Sequence, residues 1–235
     1  SFPSDTKIRG DGENISAVLY NLCGQPQQGE VVKFAMPVPS SDNHSNDLLR
    51  LIRSLPEQNI DGISFIHEPR GGVMVALQET FGNKEMTFDA SLLSDGTLRV
   101  LSVAAALLSA PSGSMVVIEE IDNGVHPSRA EHLLESIQRI ATDRKLRVLL
   151  STHNPALLDA VPDGSIPDVV FCYRNPEDGT SKLVRLSDIE DYPELIAQDT
   201  LGGLLTTGIL ERYAKFKQSK SERIEAGLEW LRGIS

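Results

Sequence analysis

The chain is poor in the features that define several large classes of protein. Only two cysteines, Cys23 and Cys172, occur in 235 residues. Their spacing fits no metal or redox motif, and two cysteines make no disulfide framework, so a reducing, cytoplasmic setting is expected. No apolar run reaches membrane-spanning length, and no secretory leader is visible. The first residues, Ser1-Phe2-Pro3, lack a methionine and suggest a fragment or trimmed chain. Clustered basic residues are also missing. The net charge is -11, and Lys215, Lys217, Lys220 and Arg223 of the tail are interleaved with Glu222 and Glu225. Such a mixture reads as a solvated helix face, not as a footprint for a phosphate backbone. DNA or RNA is therefore retained as a partner class without an evident patch to bind it. Finally, no G-x-x-x-x-G-K-[ST] string, the phosphate loop of P-loop NTPases, occurs anywhere in the chain.

What is present is an ordinary globular composition, with 40% hydrophobic residues, enough for a sizeable core. Ile15, Val18, Leu19 and Leu22 share one helical face, which predicts a short helix over 14–22. Residues 24–46 read as loop with one short strand at 31–36, and 47–55 as a helix end closed by Pro56. Alternation predicts strands at 60–68 and 73–79, joined by Pro69-Arg70-Gly71-Gly72, and a third at 86–88. Beyond residue 90 the pattern becomes α/β. Helices are expected over 96–110, 127–142 and 155–160, with buried strands at 115–118 and 148–151. Strands at 169–173 and 182–186 flank a turn, and 204–217 and 221–232 look helical. Buried apolar strands alternating with helices imply a largely parallel sheet flanked by helices, with antiparallel edge strands. The expected organisation is an N-proximal part over 1–90, a core lobe over 91–200 and a helical segment over 201–235.

Three strings in this frame carry chemistry. Ser94-Asp95-Gly96 precedes a helix, where free N–H groups and the helix dipole favour an anion. On these residues alone the string is more readily an ordinary N-cap than a phosphate contact. Glu119-Glu120 ends an apolar strand, at the carboxyl edge where α/β proteins place ligands. One carboxylate there can hold Mg²⁺ through water, and the next can orient an attacking water. The bland reading is a strand ending in two solvated acids. His153 follows a second apolar strand through Ser151-Thr152 and can bond a γ-phosphate. Taken alone, it reads as a satisfied core or surface histidine.

The order of these elements resembles the ATP-binding-cassette-type ATPase heads of the SMC, RecF and MutS-like group. Within that group, "LSDGTLRVLSVAAALL", "VVIEEIDNGVHP", "LLSTHNP" and the early "DGENISAVLYNL" are similar to the AAA-family ATPases related to the ATPase module of OLD-type nucleases. The resemblance covers most of residues 11–160 and implies a P-loop NTPase head of ABC-ATPase type. It implies that Ser94, Asp95 and Gly96 form the signature motif that contacts ATP held by a partner subunit, with Arg99 helping to hold that motif. It gives Glu119 to Mg²⁺, makes Glu120 the catalytic carboxylate and His153 the switch histidine, and places Asp122 and Asn123 in the segment crossing a dimer interface. His126 belongs to the family's His-Pro turn. Glu119 departs from the aspartate of the wider class, and one extra methylene still reaches Mg²⁺ through water.

The implied function is a dimerising, ATP-binding and hydrolysing head that gates a nucleic-acid-directed effector, in phage defence or DNA repair. The implied cofactors are ATP and Mg²⁺, and the implied partners are a second head and a separate nuclease or effector chain, with no membrane. Without a phosphate loop these residues alone are expected to be inactive. The alternative is a non-hydrolysing scaffold that complements a partner's ATP site.

Overall fold

The computed structural model describes residues 4–9, 13–33, 47–48, 51–52, 59–122, 127–176, 178–189 and 192–215. The chain is α/β and divides into two compact units, residues 1–153 and 154–235.

In the first unit, α1 (Ile15–Leu22) and a four-stranded antiparallel sheet come first. The strands run in spatial order β1 (Val31–Lys33), β2 (Ile60–His67), β3 (Val73–Phe81) and β4 (Lys84–Asp89). Alternation explains the sheet: Ile63 faces Leu77 and Leu77 faces Phe88, while Phe65 faces Val75, so one face is apolar. Tyr20 of α1 meets Phe65 edge-on at 5.3 Å and His67 at 5.5 Å. The helix also completes the backbone ladder, because Ser16 Oγ accepts the Val75 N–H at 3.0 Å. An extra residue, Asp61, bulges β2 between Ile60 and Gly62 and accepts a hydrogen bond from Thr80.

The α/β part follows. The longest helix among the described residues, α2 (Asp95–Ser109), buries Val100, Leu101, Ala104, Ala105, Leu107 and Leu108. It is followed by β5 (Met115–Ile118), a 3₁₀ turn (Pro127–Arg129), α3 (Ala130–Asp143) and β6 (Arg147–Leu150). Leu133, Leu134, Ile137 and Ile140 of α3 lie three and four apart and are buried. Arg139 of α3 donates to the buried Asp47 carboxylate at 3.0 Å. Strands β5 and β6 pair in parallel, Val117 opposite Leu149.

That pair corrects one expectation. The two strands were expected to be buried on both faces, yet Met115 (52%), Val117 (58%) and Leu149 (52%) are exposed. Only the opposite face, with Ile118 at its end, turns inward. An all-apolar run of four residues carries no alternation, so it does not reveal which face is covered.

The second unit holds α4 (Pro155–Asp159), the antiparallel pair β7 (Val170–Arg174) and β8 (Ser181–Arg185), α5 (Tyr192–Ile196), α6 (Leu201–Thr206) and α7 (Ile209–Lys215). Leu186, Leu195, Leu201, Leu204 and Leu210 form its core. Two features depart from the sequence reading. Residues 192–196, to which the sequence reading assigned no element, are helical. The helix expected over 204–217 is two helices, broken at Gly208, whose φ of 70° stops the first. Gly202 sits where α6 and α4 touch: a Cβ there would lie 2.8 Å from the Asp159 carboxylate and would collide with the Pro155 carbonyl. The helix expected at 221–232, residues 34–36 of the expected first strand, and the tail beyond residue 215 lie outside the described residues. Among the described residues, no helix is long and apolar enough to cross a membrane.

Candidate functional site

The parallel pair brings two loops together at its carboxyl end. From β5 come Glu119, Glu120, Ile121 and Asp122; from β6 come Ser151, Thr152 and His153. The loops are stitched by main chain: Ser151 N–H donates to the Ile118 carbonyl at 3.0 Å, and Ile121 N–H to the Ser151 carbonyl at 3.1 Å. Side chains add to this. Glu120 N–H donates to Ser151 Oγ at 3.1 Å. Thr152 Oγ1 donates to Asp122 Oδ1 at 2.7 Å, and His153 Nε2 stands 3.8 Å from Asp122 Oδ2.

These partners differ sharply in exposure. The Asp122 side chain is only 6% exposed, whereas that of His153 is 77% exposed. Buried carboxylates need such partners, because desolvation of the charge is otherwise costly. Asp122 thus anchors the Thr152–His153 segment from beneath, and the imidazole reaches outward. Glu119 and Glu120 are both exposed. Glu120 also has a left-handed backbone, φ 48°. For a residue with a Cβ this conformation costs about 1–2 kcal/mol and persists only where the surroundings hold it.

The α2 helix reaches the same place. Arg99, in its second turn, donates through Nη2 to the Glu120 carbonyl at 3.0 Å and also to the Glu119 carbonyl. At the start of α2, Ser94 is the N-cap: its Oγ accepts the Thr97 N–H at 3.1 Å and lies 2.7 Å from Thr97 Oγ1. Ser94 and Asp95 are exposed and Gly96 is buried. The cap leaves other N–H groups of the first turn free to meet an anion.

Of the residues singled out in the sequence, Glu119, Glu120, Asp122, His153 and Arg99 are thus brought together at one strand end, and Ser94, Asp95 and Gly96 lie at the start of the helix that carries Arg99. Asn123 and His126 lie outside the described residues. The sequence reading passed over Ser151 as a member of this cluster. Its signal was available: a hydroxyl at the end of an apolar strand, beside the paired acids.

The donor set suits Mg²⁺. That ion prefers one or two carboxylates, completed by waters and substrate phosphates, to a cage made wholly of protein. Glu119 and Glu120 offer such exposed oxygens, and no cluster of three or more acidic, histidine or cysteine ligands occurs among the described residues. The Asp122 oxygens are already engaged.

Comparison with known proteins gives the family. Residues 32–159 match the model described as "AAA domain, putative AbiEii toxin, Type IV TA system". No curated protein sequence matches the chain. Among solved structures, one from work on ATP-driven dimerization and DNA stimulated activation of SMC ATPases is similar at 14% identity and TM-score 0.44, covering 66% of this chain and 89% of that one. The SmcHead bound to the C-winged helix domain of ScpA is similar at 14% identity and TM-score 0.42, covering 60% of this chain and 41% of that one. The Smc head domain of Pyrococcus yayanosii, with a coiled coil and joint, is similar at 14% identity and TM-score 0.44, covering 66% and 28%. Because the family model spans more than half of its length, the chain belongs to the family of AAA domains described as putative AbiEii toxin, Type IV TA system, a family of nucleotide-binding ATPases.

Proposed function

We propose that the chain forms the distal part of an ATPase head that hydrolyses ATP when two heads close on the nucleotide. The observation that carries this reading is the assembly of Glu120, Asp122 and His153 at the carboxyl end of the β5–β6 pair. In this role Glu120 orients and deprotonates the attacking water, since its carboxylate is exposed and its backbone is held. His153, steadied by Asp122, bonds the terminal phosphate. Glu119 holds Mg²⁺, whose chemistry when bound is to neutralise charge on the phosphates. The start of α2, with Ser94, Asp95 and Gly96, meets the nucleotide of the partner head. Asp122 belongs to the segment that faces that partner.

The phosphate loop, in this reading, is supplied by residues outside these 235, on the same polypeptide or on another. The exposed apolar face of Met115, Val117 and Leu149 supports this, because parallel strands are ordinarily covered on both faces. The cycle of closure and hydrolysis then gates an effector directed at nucleic acid. The family's description as a putative toxin of a Type IV TA system supports a role in defence, ahead of DNA repair.

Glu120→Gln, made in the protein together with its phosphate loop, tests the reading. Hydrolysis should fall by about 10²–10⁴-fold, the usual worth of a positioned base. ATP-bound dimers should accumulate in sedimentation. Turnover at the wild-type rate would remove Glu120 from the reaction. The second reading, a scaffold that only completes a partner's site, is favoured by the missing phosphate-loop string. It predicts that the assembly turns over ATP equally well with and without the Glu120→Gln change in this chain.

A further inference from the structure

The backbone of Glu120 is gripped from two sides, and neither grip comes from its own strand. Its N–H is taken by Ser151 Oγ at 3.1 Å, and its carbonyl by Arg99 Nη2 at 3.0 Å. The same guanidinium nitrogen also bonds the Glu119 carbonyl. Ser151 holds the loop further through its main chain, at Ile118 and Ile121. Any residue but proline at 151 would supply those two main-chain bonds. Only a side chain with an acceptor close to the backbone supplies the third, which explains a hydroxyl where the preceding strand is wholly apolar.

Arg99 calls for a separate explanation. It is a cation set beside two acids, yet its hydrogen bonds run to their carbonyls and not to their carboxylates. A guanidinium has five fixed N–H donors and suits such a multiple grip. Both glutamates are exposed. Arg99 also lies five residues after Ser94 on one continuous helix, about 7.5 Å along the axis. The helix start and the Glu120 backbone are therefore joined by a stiff element and a pair of hydrogen bonds.

We propose that Arg99 and Ser151 are positioning residues that together hold Glu120 in its left-handed pose, and that Arg99 makes this pose depend on the seating of the α2 start against nucleotide. The proposal rests on the reading of Glu120 given above. It makes Arg99 the link by which closure of the partner head onto Ser94, Asp95 and Gly96 sets the water-orienting carboxylate. Neither residue touches nucleotide in this scheme. Loss of either grip lets the loop relax toward ordinary backbone angles and swings the carboxylate away.

The test uses the protein assembled with its phosphate loop, and ATP with Mg²⁺ as substrate. Arg99→Ala and Ser151→Ala should each lower kcat by about 10–100-fold, a fraction of the whole effect of a positioned base. KM for ATP should stay within about twofold, because ground-state binding is untouched. Ser151→Thr, which keeps the acceptor oxygen, should restore kcat. In a Glu120→Gln background both alanine changes should alter the residual rate by less than about twofold, since they act through Glu120 alone. A merely structural role would lower the rate equally in both backgrounds and would overturn the proposal. If Glu120→Gln abolishes turnover while Arg99→Ala and Ser151→Ala keep wild-type kcat, the positioning proposal falls and the reading of Glu120 stands. If Glu120→Gln itself turns over normally, both fall. Should Arg99→Ala fail to fold, the Ser151 pair decides alone: full kcat in Ser151→Ala overturns the grip, and a deficit restored by threonine supports it.

Discussion

Ser94→Asp separates two roles that the wild-type serine combines. In the structure Ser94 caps α2, with Oγ accepting the Thr97 N–H and lying beside Thr97 Oγ1. An aspartate at this position can accept from both Thr97 groups, and its charge complements the helix dipole. Stability should therefore hold or rise slightly, by about 0.3–1 kcal/mol. Ser94→Ala, by contrast, loses the cap at about 1 kcal/mol, which lowers Tm by roughly 2–4 °C in a chain of this size. The proposed function adds a second consequence. A carboxylate at 94 would face the terminal phosphate of nucleotide on the partner head. At about 4 Å and an effective dielectric of about 20, each pair of unit charges costs about 4 kcal/mol, roughly a thousandfold in closure. Thermal melts should thus rank Ser94→Asp with or above wild type and Ser94→Ala below both. Sedimentation with ATP should show dimers for wild type and Ser94→Ala and none for Ser94→Asp. Normal dimers and normal turnover in Ser94→Asp, at an unchanged Tm, would reduce Ser94 to a helix cap.

Three further outcomes follow from the geometry. Glu120→Gly should be more stable to denaturant than Glu120→Ala by about 1 kcal/mol, because both lose the carboxylate but only glycine enters the left-handed region freely; equal stabilities would show that this backbone angle is not held in solution. Gly202→Ala should destabilise the second unit by about 1–3 kcal/mol, since the added methyl collides with the Pro155 carbonyl; limited proteolysis of 154–235 measures this, and unchanged resistance would refute the close approach. Burial pushes the Cys23 thiol up to about 12, so at pH 8 about one molecule in 10⁴ carries the reactive thiolate. Iodoacetamide should accordingly modify the exposed Cys172 first, with Cys23 reacting appreciably only as pH rises toward 12; equal labelling at pH 8 would contradict the burial.

The parts of the fold that were legible in the sequence are those governed by local rules. The Met115–Ile118 strand stands where an apolar run between turn residues put it, and α2 begins at the Ser94 cap. The antiparallel pairing of β2 with β3 and of β7 with β8 followed from alternation around turns. Harder to read were features set by distant partners. Asp122 looked like a loop residue, yet its carboxylate is buried because Thr152 and His153, 30 and 31 positions on, arrive beside it. Ser151 reads in the sequence only as the end of an apolar strand, whereas its hydroxyl accepts the Glu120 N–H from 31 positions away. Residues 192–196 carry Pro193 and few helix signals, and their helix is fixed by burying Leu195 in the leucine core. The break at Gly208 was legible in principle, since glycine commonly ends helices, but the apolar periodicity on either side masked it.

The contrast between the two sheets of the first unit has a consequence for the order of folding. In the β2–β3–β4 meander, Phe81 pairs with Lys84, three positions on, whereas in the parallel pair Met115 must find Arg147, 32 positions on, after α3 has formed between them. Closing the longer loop costs more chain entropy before any bond repays it, so the meander forms first and the parallel pair later. The backbone pose of Glu120 needs both β6 and α2 in place, which makes the chemical end of this protein among the last parts to mature. Pulsed hydrogen exchange during refolding should protect the Leu77 amide before that of Ile118, whose N–H lies on the β6 side of β5, and the reverse order would exclude this sequence. A newly made chain would then pass through a stage with a finished antiparallel sheet and no competent carboxylate. On the proposed function, such a delay would keep hydrolysis silent until the fold is complete.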